Sequence, residues 1–168
     1  MLRFFRKKST RFVCAFLVSL WSAVLLASQT TAPRALSKEL RTLVQDGRFS
    51  IVTSIRGLPL GIRDELESLW GSATLDIAEP GGEFQRTDVV NSTLPHRRLI
   101  AAGCTTNDCL VYYERGGRTH TWHVALFHWT PAATRFEWGG LAPGGLKTID
   151  DVRKAILSGA IDDKAKSW

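Results

Sequence analysis

Five residues between positions 104 and 128 are of types that can do chemistry: Cys104, Cys109, His120, His123 and His128. The histidines stand in HTWHVALFH, which invites a metal site. On a strand, however, His120 and His123 point to opposite faces. His120 and His128 share a face but lie roughly 26 Å apart at the rise of an extended chain. No two of them then share an ion, and neither a metal nor a cofactor is expected. The cysteines stand in GCTTNDC with four residues between them. A lone CxxxxC pair is a weak zinc pattern without a second ligand pair, and the CxxCH of a c-type haem is absent. No G-x-S-x-G elbow supports a nucleophilic serine. RGGR, WGGLAPGG and EPGGE match no phosphate-loop spacing and read as turns. NST at Asn91 fits the glycosylation triplet, which matters only in a eukaryotic secretory route.

The elements that must position these residues follow from periodicity. LSKELRTLVQDG sets Leu36, Leu40, Leu43 and Val44 on one helical face, with Gly47 as a stop. FSIVTSI is a short strand candidate. GLPLGIRDELESLWG spaces Ile62, Leu66, Leu69 and Trp70 as a helix between Pro59 and Gly71. ATLDIAEPGGEFQRTDVVN mixes a short alternating run with a turn. RRLIAAG leads into the cysteine loop, and CLVYYER-GG-RTHTWHVALFHW reads as a hairpin around Gly116 and Gly117. That turn places Tyr113 opposite His120 and Val111 opposite Trp122, on a core face that continues through Val124 and Leu126. FEW is a third strand, which GGLAPGG ends. TIDDVRKAILSGAI opens on Thr148 as N-cap, with Asp150 and Asp151 in the first turn. Val152, Ala155 and Ile156 form its buried stripe, and Gly159 suits its end. The fold class expected is α+β: an antiparallel β-sheet with a central hairpin, flanked by N-terminal helices and a C-terminal helix.

Charge and cysteine use depend on what precedes this domain. MLRFFRKKSTR carries five basic residues and no acid, and FVCAFLVSLWSAVLLA follows with 16 apolar or small residues. A basic head before an apolar run too short for a bilayer is the pattern of a secretory signal peptide over residues 1–27, or of an anchor if it is not cut. Residues 28–35 read as a flexible start and 36–168 as a single α+β domain. The formal charge is +6, but five of the 22 basic residues belong to the leader, which leaves 17 basic against 16 acidic residues and a net of +1. Nucleic acid is therefore not an expected partner, nor is a membrane once the leader is cut. Cys14 leaves with the leader, and Cys104 with Cys109 remains as an even pair bound for an oxidising compartment. That favours a disulfide over free thiolates. The localisation expected is periplasmic or secreted.

Within the ring, Thr105, Thr106, Asn107 and Asp108 are small or polar and have nothing to offer a core. One reading is a stapled β-turn, with Asp108 or Asn107 bonding back to local amides. The other is a preorganised protrusion that loses little entropy on entering a partner's cleft.

RRLIAAGCTTNDCLVYYE resembles the signature of the periplasmic lysozyme inhibitors of the Ivy family (inhibitor of vertebrate lysozyme). Gly103, Cys104, Asp108 and Cys109 match its disulfide-closed loop in kind and spacing. Leu58-Pro59, the VALF of 124–127, Trp138 and the closing ILSGAI follow in family order, over residues 36–161. The resemblance implies a non-enzymatic protein that inserts the 104–109 loop into the cleft of a lysozyme or another peptidoglycan-cleaving enzyme, where a loop histidine bonds the catalytic carboxylates. Here Asn107 stands in that place, after Thr105 and Thr106; it keeps an NH₂ donor but carries no positive charge. Asn107 is then the contact donor, Thr105 and Thr106 the rim, and Asp108 with the disulfide shapes the loop. Two other classes stay open: a cell-envelope scaffold with the same fold and no inhibitory activity, and a small Cys/His enzyme. The sequence also leaves a homodimer open.

Overall fold

A computed structural model describes residues 35–88, 93–165 and 168. The leader, nearly all of the flexible start, and Asn91 and Ser92 of the NST triplet lie outside these residues. Within them, three α-helices pack on five antiparallel strands, so the α+β class holds. The strands are β1 (Ser50–Val52), β2 (Arg97–Cys104), β3 (Asp108–Arg115), β4 (Thr121–Thr130) and β5 (Ala133–Ala142), ordered β1-β2-β3-β4-β5. No helix among the described residues is long and apolar enough to cross a membrane.

The helices fall where the punctuation places them. Helix α1 (Lys38–Asp46) starts on Ser37, whose side chain accepts from the Leu40 amide. Helix α2 (Leu60–Trp70) ends on Gly71 in the left-handed region, φ +62°. Helix α3 (Ile149–Leu157) opens on a capping box in which the Thr148 and Asp151 side chains each bond the other's backbone amide. That box satisfies two of the amides that a helix start leaves open.

Both faces of the sheet are covered. Leu110, Tyr112, Val124, Leu126 and Trp138 join Val44 of α1 and Val152 and Ile156 of α3 in one core. On the opposite face Leu99, Val111, Tyr113, Ala125 and Phe127 pack with Ile62 and Leu66 of α2.

Two expectations are overturned. The β3–β4 hairpin does not turn on Gly116-Gly117 alone. Residues 116–120 form a wider loop, so that Tyr113 pairs with His123 and Val111 with Ala125. The offset of three is odd, and it moves Val111 and Tyr113 to the face away from Val124 and Leu126. His120 leaves the strand altogether: its Nε2 lies 2.7 Å from Glu114 Oε2. The second correction concerns GGLAPGG, which does not end the third strand. β5 runs on through Gly139 and Gly140 to Ala142, with Leu141 bridged to Asp162. A Cβ at Gly140 would sit 2.3 Å from the Asp162 carbonyl oxygen, so these glycines admit a neighbouring backbone instead of breaking a strand.

Candidate functional site

The cysteine ring is the turn between β2 and β3, two adjacent strands inside the sheet. Cys104 and Cys109 are register partners, which brings their Cα atoms to 4.1 Å and closes the disulfide. Only Thr105, Thr106 and Asn107 lie outside the strands.

Five hydrogen bonds fix this turn besides the disulfide. The Thr105 amide donates to Asp108 O at 2.7 Å. Thr105 Oγ1 accepts from the amides of Asp108 at 3.0 Å and Asn107 at 3.3 Å. The Trp129 amide of β4 donates to Asn107 O at 2.8 Å. Asp108 Oδ1 lies 3.0 Å from His128 Nδ1. The residue that bonds back to local amides is thus Thr105, not Asp108 or Asn107. Asp108 instead reaches across the ladder to His128, its register partner on β4.

What remains outward is small. Cys109 is fully buried, Thr105 and Asp108 are half-buried, and Thr106 and Asn107 are exposed. Neither the Asn107 amide group nor the Thr106 hydroxyl has a hydrogen-bond partner among the described residues. The tip therefore presents one amide and one hydroxyl to solvent on a backbone that its own bonds hold. Beside it on β1, Ile51 lies opposite Gly103 and is 78% exposed, an apolar neighbour to a polar tip.

The three histidines of HTWHVALFH go to three separate places. His120 stacks on Trp122 with ring centroids 4.4 Å apart and bonds Glu114. His123 is fully buried, stacks on Tyr113 and bonds Thr121 Oγ1 at 2.8 Å. Burial, with help from Arg115 and Arg97, pushes the His123 pKa down to about 4. His128 alone joins the cysteine turn. No group of three or more His, Cys, Asp or Glu side chains among the described residues could hold a metal ion.

His128 and Trp129 are the site residues that the sequence reading missed. Counting the β3–β4 register from Arg115 and Thr121 outward brings His128 to Asp108; counting from a two-residue Gly-Gly turn does not. Comparison with protein-family models, with curated proteins and with solved structures finds no match to this chain.

Proposed function

We propose that this protein is a periplasmic or secreted inhibitor of the Ivy type, which plugs the cleft of a lysozyme or other peptidoglycan-cleaving enzyme with its 104–109 turn. The observation that carries this reading is the pairing of an exposed, unpartnered tip with a fully restrained backbone. A turn already fixed by a disulfide, a threonine hydroxyl and two cross-strand bonds loses little conformational freedom when it docks. Ordering an open loop of the same length would cost about 1–2 kcal/mol per residue.

The chemistry suits a cleft lined by two carboxylates. Asn107 donates through its NH₂ group, and Thr106 adds a hydroxyl at the rim. A neutral donor binds a carboxylate more weakly than a charged one. His128, on the far side of Asp108, places an imidazole ring at the base of the same turn. Ile51 supplies apolar contact at the flank. The net charge of +1 beyond the leader offers no steering toward a basic enzyme, so association is of ordinary speed and depends weakly on salt.

The test is an inhibition panel of animal, bacterial and phage muramidases at micromolar protein. Inhibition of at least one enzyme, weakened by Asn107→Ala, supports the reading. A panel without inhibition removes the enzyme partner and leaves the envelope scaffold.

A further inference from the structure

Of the histidines in HTWHVALFH, only His128 stands beside the disulfide turn, and only His128 has Nε2 left over. His120 spends its Nε2 on Glu114 and His123 spends its own on Thr121. In His128 the occupied nitrogen is Nδ1, 3.0 Å from Asp108 Oδ1. A carboxylate offers only acceptors, so Nδ1 carries the hydrogen of that bond. In the neutral imidazole the free lone pair is then on Nε2. That nitrogen has no hydrogen-bond partner among the described residues, yet it is not one of their buried unpartnered atoms, and the side chain is 29% exposed.

The neighbouring strands leave Nε2 uncovered. The register partners of His128 are Asp108 on β3 and Arg135 on β5. Asp108 takes Nδ1, and Arg135 donates through Nε to Glu137 Oε1 instead of approaching the ring. The place of the ring relative to the tip is also fixed, because the next residue, Trp129, donates its amide to Asn107 O at 2.8 Å. Asn107 and His128 thus stand on adjacent chain segments, about 5 Å apart at the backbone.

Together they offer a donor, the Asn107 NH₂ group, and an acceptor, His128 Nε2. A glycoside-cleaving site presents the complementary pair: one ionised carboxylate and one carboxylic acid that still holds its proton, about 5–5.5 Å apart in retaining enzymes.

We propose that His128 is a second contact residue, whose Nε2 accepts a hydrogen bond from the protonated general acid of the partner enzyme while Asn107 donates to the neighbouring carboxylate. Asp108 is the positioning residue that turns Nε2 outward. This role rests on the inhibitor reading and narrows the partner to a glycosidase, as against an amidase or peptidase acting on peptidoglycan.

The experiment is calorimetric titration of a muramidase that the chain inhibits, and of the same enzyme with its general acid changed to alanine. The titrants are the parent, His128→Asn, His128→Gln and His96→Asn. An Asn amide reaches the place of Nδ1 and keeps the Asp108 bond; a Gln amide reaches the place of Nε2 and keeps an acceptor there. His96 is the matched control, since its Nδ1 lies 3.0 Å from Asp76 Oδ2 at the opposite end of β2. With the intact enzyme, His128→Asn should raise Kd roughly tenfold or more, His128→Gln should bind more tightly than His128→Asn, and His96→Asn should match the parent. With the enzyme lacking its acid, His128→Asn and the parent should bind alike, a comparison that decides even if His128→Asn also lowers the unfolding midpoint. A parent that inhibits no muramidase removes the inhibitor reading and this role together. Inhibition that Asn107→Ala weakens but His128→Asn leaves unchanged keeps the reading and overturns the role of His128. So does an equal loss in His128→Asn with and without the enzyme's acid.

Discussion

The strand β3 ends in two hairpin turns built in opposite ways. At its start, three residues close onto β2 under a disulfide, and the tip stands in water. At its end, five residues connect to β4, and the chain there is pressed under another segment. Gly116 shows the difference: its amide donates to His96 O at 2.9 Å, and a Cβ on it would lie 1.6 Å from Gln85 O. The first turn is restrained by its disulfide, by the Thr105 bonds and by two bonds from β4, and is free on the outside. The second is held by neighbours and roofed over in part. Rigidity and exposure thus come together at only one of the two turns, and that is the turn with polar groups to offer.

Breaking the second turn should have the largest effect. Gly116→Ala requires either the 84–86 backbone or β3 to move, and should cost about 3 kcal/mol or more. Urea unfolding measures it, and a change below 1 kcal/mol would show that the two segments are not pressed together.

Next in size is the titration of His123, buried near that same end. Its ring stays neutral in the folded protein down to about pH 4, whereas an unfolded histidine takes its proton near pH 6.5. The unfolded chain therefore binds the proton first as pH falls. Stability present above pH 6.5 should be lost progressively toward pH 4, on the order of 3 kcal/mol in all. His123→Phe keeps a ring against Tyr113 and removes the titration, so unfolding curves between pH 6.5 and 5 should flatten in that variant. An unchanged slope would place the proton elsewhere.

Removing the staple from the first turn acts more gently. Cys104→Ser with Cys109→Ser should cost roughly 2 kcal/mol by the loop-closure estimate for so small a ring. It should also weaken inhibition, because the tip loses its covalent tie, but not abolish it, because the Thr105 and Trp129 bonds still hold the turn's outline. Inhibition equal to that of the parent would mean that the disulfide does not shape the tip.

How far these features were legible in the sequence depends on whether they are local. The Thr148 N-cap of α3, the Gly71 boundary of α2 and the cysteine ring are written within a few residues and appear in the structure as read. Register is not local. Strands with one wet face advertise their pairing through alternation, but both faces here are buried, so CLVYY and VALF are continuous apolar runs with no alternation to align. The Gly-Gly pair then looked like the turn, and the register slipped by three. One consequence follows from that slip: His128 is not matched to Asp108. The glycines of β5 mislead in the same way, because the backbone they admit is not local: Gly139 faces Val124 and Ala125 on β4, and Gly140 faces residues 162–163.

The most direct measurement sets the two turns against each other in one assay: inhibition of a susceptible muramidase by the parent, by Asn107→Ala and by Arg118→Gln. Both changes are at exposed side chains and should leave stability within about 0.5 kcal/mol. If the disulfide turn is the plug, Asn107→Ala loses inhibition and Arg118→Gln keeps it. Equal potency of Asn107→Ala and the parent, or a loss confined to Arg118→Gln, would contradict the tip as the contact.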